Sequence, residues 1–440
     1  MQPSRDILPD SQPLDVDKAS DLLPSPLLLD SESRNSGDRK PSTERELSPA
    51  FSSLEIPKTV ESVESGRQIA KSAESFARAN HFEIETSGND FVYSMQVGGK
   101  KLDLIRTSAT EKGLKEAEEQ LKELVRQEAL NLERTYGIAI AQQGEPVDYQ
   151  RSSSDSPKSN HMVLARAPEL FDLYGVRAAL EKSPSSSLGR DGQGLKFFWL
   201  NEKVITGIGP YATFQTDQNG RGSVYIWPSS TEIKHATEDD LTDSQRKISY
   251  SSRDREVTWQ SAILHELGHN TADKLGYEKK SSVNEIGSEL SAAGEKLANE
   301  IGWVKRTDVE NSGEDWLLVG KSVDDNGKPA TFLPENNVFF YSYQRWRADG
   351  GAVDASGKVV PAHEGQELSQ EEMMAEALVT PPTFYFENPA ELYAEGMKLY
   401  RLSASAREHL EKVSPRLYEI IKRDNQREID FPKLGSLTID

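Results

Sequence analysis

The 440-residue sequence contains no cysteine, which excludes disulfides, thiolate metal ligands and a cysteine nucleophile. Histidine is also scarce, with seven residues in the whole chain. Any transition-metal site must therefore be built from histidine, aspartate and glutamate. No apolar run approaches the ~20 residues that a membrane-spanning helix needs, so the sequence predicts no membrane span.

Positive charge is in deficit, because the formal net charge at pH 7 is −20. Nucleic acids and anionic membranes are themselves negatively charged, so we expect neither as the main partner. The first twenty residues lack both the basic start and the apolar core of roughly 7–15 residues that mark a secretory signal peptide. Export, if it occurs, is expected to use another route.

Three segments are predicted from composition and periodicity. Residues 1–65 contain eight prolines, thirteen serines and one aromatic residue, Phe51, which predicts a disordered leader that is dispensable for folding and activity. Residues 66–160 show helical spacing around two short strands joined at Gly98-Gly99, which predicts a small α+β domain of unknown role. Residues 161–440 are expected to form the main functional domain.

The stretch "SAILHELGHNTAD", residues 261–273, carries the pattern H-E-x-x-H. In a helix, His265 and His269 lie on one face and can direct both imidazoles at one tetrahedral ion. Glu266 can hold a water in the open coordination position and act as its base. The uncharged residues around the motif favour a helix buried beneath an active site. The pattern predicts Zn²⁺ and hydrolysis of a peptide bond.

A third zinc ligand is required. The extended motif with a third histidine is excluded, because the positions that it needs hold Ala272 and Leu275. A glutamate from a second helix is the natural alternative. One candidate is Glu289, which follows His269 by twenty residues, the spacing of thermolysin-like enzymes.

The second candidate lies in "ENPAELYAEGMKLYRLSASAREHLEKVSPRLYEII", residues 387–421. This stretch resembles the last helices of the anthrax lethal factor protease domain and of the related Pro-Pro endopeptidases. The resemblance implies that Glu391 is the zinc glutamate and that Glu395 orients a zinc histidine. It also implies a carboxylate oxygen of Glu391 within about 4–5 Å of the zinc-facing histidine nitrogens.

The sequence departs from that family at two places. Glu391 follows His269 by 122 residues, which is much further than in the family and predicts an insertion at about 278–383. The family also has a tyrosine seven residues before the glutamate, which donates a hydrogen bond to the transition state. Phe384 occupies that position here, and the neighbouring Tyr385 is the candidate for the role.

The resemblance implies an α+β, gluzincin-like protease domain with a small mixed sheet, an active-site helix and a C-terminal glutamate helix. We expect a zinc-dependent metalloendopeptidase that acts on a polypeptide substrate. Since toxin members of the family act outside the producing cell, a secreted toxin or effector is expected by resemblance alone. The alternatives are a non-catalytic toxin binding or delivery module, a thermolysin-like protease that uses Glu289, and a cytoplasmic housekeeping protease.

Overall fold

The three-dimensional structure is a computed structural model, and its description covers fourteen ranges of the chain. These are 60–147, 163–190, 193–200, 212–216, 221–227, 233–246, 258–277, 290–305, 316–323, 329–332, 351–354, 359–361, 374–386 and 388–429. The predicted leader therefore lies outside the described residues, except for its last six positions. The predicted boundary near residue 160 also lies outside them.

A helix, a three-stranded sheet and a second helix open the described chain. Their bounds are α1 Val60–Ala79, β1 Glu83–Ser87, β2 Asp90–Val97, β3 Lys100–Ser108 and α2 Glu111–Tyr136. The sheet is antiparallel in the order β1-β2-β3. Gly98 and Gly99 connect β2 to β3 with φ of +61° and +73°, a conformation in which glycine is the least strained residue. The predicted hairpin is confirmed.

A six-stranded mixed sheet follows, built from short strands. They are β4 Ala139–Ile140, β5 Pro146–Val147, β6 Val163–Arg166, β9 Lys196–Leu200, β10 Ala212–Thr216 and β11 Gly222–Ile226. The order is β10-β11-β9-β6-β5, and β4 pairs with the start of β9. β11 and β4 run parallel to β9, whereas the pairs β10/β11 and β6/β9 are antiparallel. Between β6 and β9 lie helix α3, Leu170–Glu181, and the hairpin β7 Gly189–Arg190 and β8 Gln193–Gly194.

Strand β9 shows how the sheet divides the core. Its side chains alternate between the two faces, as strand geometry requires. Phe197 and Trp199 belong to the large core cluster, whereas Phe198 and Leu200 belong to a smaller cluster on the opposite face. All four are buried, so both faces of this sheet are covered.

The predicted active-site helix is α4, Trp259–Lys274, and it packs against α3 and β10. The region predicted as an insertion contains a helix and a five-stranded antiparallel meander. These elements are α5 Ala292–Glu300, β12 Trp303–Lys305, β13 Trp316–Val323, β14 Pro329–Phe332, β15 Gly351–Asp354 and β16 Val359–Pro361. Three helices complete the described chain, namely α6 Pro389–Leu402, α7 Ala404–Val413 and α8 Pro415–Ile429.

One continuous cluster of buried apolar side chains extends from Ala73 in α1 to Ile421 in α8. It includes the inner face of the first sheet, the six-stranded sheet and α4. The combination of an antiparallel meander, a mixed sheet and separate helices is compatible with the predicted α+β class. Among the described helices, none combines the length and apolar character needed to cross a bilayer.

Candidate metal centre

Helix α4 is fixed by a cap at its start and by buried apolar residues along its sides. The Thr258 side chain caps its start by accepting a hydrogen bond from the backbone N–H of Ser261. The Ser261 hydroxyl in turn accepts a hydrogen bond from the backbone N–H of Thr258. Apolar residues then fix the helix sides, since Ile263, Leu264 and Leu267 have no exposed surface. The H-E-x-x-H residues therefore lie on a helix that is buried on most of its circumference.

His265 and His269 meet at one point on this helix. Their ring centroids are 5.0 Å apart, and their Nε2 atoms lie 3.2 Å from each other. The two side chains are 10% and 12% exposed, so water has only limited access. The four-residue spacing thus gives the convergence that the sequence predicts.

Glu391 comes to the same point from helix α6. Asn388 caps α6 by accepting the N–H groups of Ala390 and Glu391, and Pro389 occupies the first turn. Glu391 Oε2 lies 2.9 Å from His265 Nε2 and 3.3 Å from His269 Nε2. Both distances are shorter than the limit of about 4–5 Å that the family resemblance implies for a shared ion.

These three residues, here called the ligand triad, fit a tetrahedral metal. Metal bonds of ~2.0–2.1 Å at tetrahedral angles place ligand atoms roughly 3.3–3.4 Å apart. The three atoms of the triad are separated by 2.9, 3.2 and 3.3 Å. The ligand triad could therefore hold a metal ion, with its fourth coordination position left for another group.

A second layer of polar groups supports the triad. His265 Nδ1 lies 2.9 Å from Glu395 Oε1, which leaves Nε2 free to face the triad centre. Lys398 donates to both oxygens of Glu395 at 2.7 and 2.6 Å, and Thr383 Oγ1 donates to Oε2 at 2.8 Å. Glu395 is 1% exposed, so these donors compensate a fully buried carboxylate.

The electrostatics of the triad couple metal binding to protons. Burial opposes the charged form of His265, but the carboxylates of Glu391 and Glu395 outweigh it and raise the His265 pKa. Burial likewise opposes ionisation of Glu391, yet His269 and His265 hold its pKa well below the ordinary range. A metal at this point must compete with a proton, so its affinity should rise with pH.

Glu266 is buried beside the triad, with 7% of its surface exposed. Burial raises the pKa of its carboxyl above the ordinary value, and the nearby His265 and His269 oppose that shift. The backbone N–H of Phe214, in strand β10, donates a hydrogen bond to it. A carboxylate whose pKa is raised in this way is suited to accept a proton near neutral pH.

Tyr385 lies directly beside the triad. Its ring packs edge-on against His265, with a centroid distance of 5.2 Å and an interplanar angle of 73°. Phe384, which occupies the position of the family tyrosine, is half-buried. The shift by one residue still brings a phenol ring into contact with a triad imidazole.

No protein-family model matches the chain, and no curated protein matches it. The chemical interpretation of the triad therefore depends on its own geometry and on the sequence motif. The alternative ligand Glu289 lies outside the described residues.

The roles of Lys398 and Thr383 are not predictable from the sequence. Because lysine is rarely buried, the sequence predicts an exposed side chain at position 398, whereas Lys398 is only 6% exposed. One signal was present: Lys398 follows Glu395 by three residues, which places both on one face of a helix. No comparable signal links Thr383 to the site.

Proposed function

We propose that this protein is a zinc-dependent metalloendopeptidase of the gluzincin type, in which His265, His269 and Glu391 bind Zn²⁺. The observation that supports the proposal most strongly is the match between the triad spacing and tetrahedral coordination, with Glu266 buried alongside. Zinc is favoured over other metals because two imidazoles and one carboxylate with an open position are a common catalytic zinc set.

The proposed chemistry assigns one task to each residue. Zinc bound to the triad would polarise the scissile carbonyl and acidify a coordinated water. Glu266 takes the proton of the attacking water and passes it to the leaving amine. Tyr385 donates a hydrogen bond from its hydroxyl to the developing oxyanion. Glu395 holds His265 in the tautomer whose Nε2 lone pair faces the triad centre.

The substrate in this proposal is a polypeptide. Action outside the producing cell, as a secreted toxin or effector, is proposed from the sequence resemblance alone. A thermolysin-like arrangement with Glu289 is the alternative for the third ligand.

The division of labour is tested by Glu266→Gln. We expect wild type to bind about one zinc per chain, and the variant to keep its zinc while proteolysis falls by at least roughly 10²–10⁴-fold. Zinc content measured by elemental analysis and cleavage of a peptide library provide the two readouts. Glu411→Gln, at an exposed position of α7, is the matched control and should leave both unchanged. Full activity in Glu266→Gln would refute the mechanism.

The third ligand is tested by comparing two alanine substitutions. Glu391→Ala should lose both zinc and activity, because it removes one of three protein ligands. Glu289→Ala should retain both. Chelator competition measures the zinc affinity of each variant. The reverse pattern, with zinc lost only in Glu289→Ala, would favour the thermolysin-like alternative and leave the protease proposal standing.

A further inference from the structure

The segment 382–386, which carries Tyr385, is attached to the helical scaffold at several points. His409 Nε2, in α7, donates to the carbonyl oxygen of Pro382 at 2.8 Å. Phe386 is 1% exposed and belongs to the large core cluster. Tyr385 thus lies between two anchored positions, and the contacts made between them decide where its ring lies.

Thr383 makes the contact that connects this segment to the metal centre. Its hydroxyl donates to Glu395 Oε2 at 2.8 Å and accepts the backbone N–H of Tyr385 at 3.2 Å. A hydroxyl can donate and accept at the same time, whereas a hydrocarbon side chain of equal size can do neither. Thr383 is 2% exposed, so water cannot easily replace either bond.

The Glu395 carboxylate is therefore hydrogen-bonded, directly or through Thr383, to two residues of the site, His265 and Tyr385. One oxygen accepts from His265 and the other accepts from Thr383, which in turn holds the Tyr385 backbone. Lys398 holds both oxygens, so the carboxylate cannot rotate without breaking a buried ion pair. The His265 imidazole and the Tyr385 backbone are thus linked to the same carboxylate.

We propose that Thr383 is a positioning residue, whose hydroxyl fixes the Tyr385 ring against His265 by bridging the Tyr385 backbone to Glu395. The geometrical part of this proposal does not depend on enzymatic activity. Its catalytic consequence, that Thr383 keeps the Tyr385 hydroxyl in reach of the oxyanion, rests on the proposed function.

The geometry is tested in the metal-free protein by nuclear magnetic resonance of labelled histidines at one fixed pH. The Tyr385 ring displaces the signals of the carbon-bound protons of His265, and Tyr385→Leu gives their positions without that ring. In Thr383→Val we expect these signals to move at least halfway to the Tyr385→Leu positions. In Thr383→Ser, which keeps the hydroxyl, they should stay at the wild-type positions.

The Nδ1 proton of His265 provides an internal control, because it reports the bond to Glu395. We expect it to persist in Thr383→Val. Unchanged ring-proton signals would overturn the proposal. Loss of the Nδ1 proton together with a ring shift would also overturn it, since Thr383 would then support the carboxylate instead of Tyr385. If Thr383→Val does not fold, Thr383→Ala removes the same hydroxyl with a smaller side chain.

A double-mutant cycle tests the catalytic consequence. Thr383→Val should lower kcat by roughly 10–100-fold, as small misplacements of catalytic groups do, with KM and zinc content nearly unchanged. In a Tyr385→Phe background the same change should have little further effect, because its target is already absent. Additive effects would overturn the catalytic role. If wild type cleaves no peptide, the proposed function fails, while the resonance experiment still decides the role of Thr383.

Discussion

Buried carboxylates behave differently in this protein according to their donors. Glu395 has Lys398, Thr383 and His265 as partners, and its charge is compensated from three directions. Asp172, in the first turn of α3, is 3% exposed and has Arg166 as its ion-pair partner at 3.2 Å. Burial outweighs this partner and raises the pKa of Asp172 to about 6. Between about pH 4 and pH 6 the folded protein therefore holds a proton at Asp172 that the unfolded chain has already released.

Asp172 should make the folded protein less stable as pH rises. Its contribution is fully present below the unfolded pKa of about 3.9 and is lost as pH rises through the folded pKa. Asp172→Asn removes this pH dependence. The unfolding free energy of the variant minus that of wild type should therefore be ~1–2 kcal/mol larger at about pH 7.5 than at about pH 5. Urea unfolding at both pH values measures the difference. Asp243→Asn, at an exposed position, is the control and should show little change. A stability difference independent of pH would contradict the shift.

The packing of α4 against α6 depends on one glycine, Gly268. A Cβ added to Gly268, inside the H-E-x-x-H motif, would lie 2.8 Å from Ala394 Cα and 2.9 Å from its carbonyl oxygen. These are backbone atoms of α6, which cannot move aside as a side chain can. Glu391 lies less than one turn away on the same helix, so the spacing of the two helices determines the shape of the triad.

Gly268→Ala should separate the two helices. We expect a stability loss of about 1–3 kcal/mol from overpacking, and zinc affinity lower by at least roughly tenfold because Glu391 is displaced. Gly396→Ala, on the same helix α6, is the matched control. The three atoms nearest to its Cβ would be side-chain atoms of Ile421 and Leu417, at 3.1–3.2 Å, so zinc affinity should be unchanged. Equal zinc affinity in both variants would show that this contact does not set the triad geometry.

The sequence indicates one part of the metal centre much better than the other. His265 and His269 are local, because helical periodicity alone brings residues four apart together. Glu391 belongs to another element, and no periodicity states which helix packs against which. Its assignment needed a resemblance to a known family. Thr383 and Lys398 could not be predicted, because their roles depend on being buried beside Glu395. The residue type alone does not show that a polar side chain is buried.

For the whole molecule too, the sequence does not show which elements pack against each other. The sequence predicts a boundary near residue 160, between the segments 66–160 and 161–440, and helical spacing in the first of them. The structure shows that the two segments pack on one another. Buried apolar residues of both belong to one core cluster, Glu128 of α2 pairs with Arg177 of α3, and His81 stacks on Phe171 at 4.2 Å. A periodic pattern identifies the face of an element that is buried, but not the partner that buries it.

The separation of the triad along the chain also determines when the metal centre can form. His269 and Glu391 are 122 residues apart, so an unfolded chain must close a long loop, at a cost of roughly 4 kcal/mol, before both reach one ion. A ribosome makes α4 long before α6. Until Glu391 has been made and α6 has packed against α4, the two histidines lack their third ligand. The hydrolytic centre proposed above is therefore absent from any nascent chain that ends before Glu391. Activity cannot begin until most of the chain has been made.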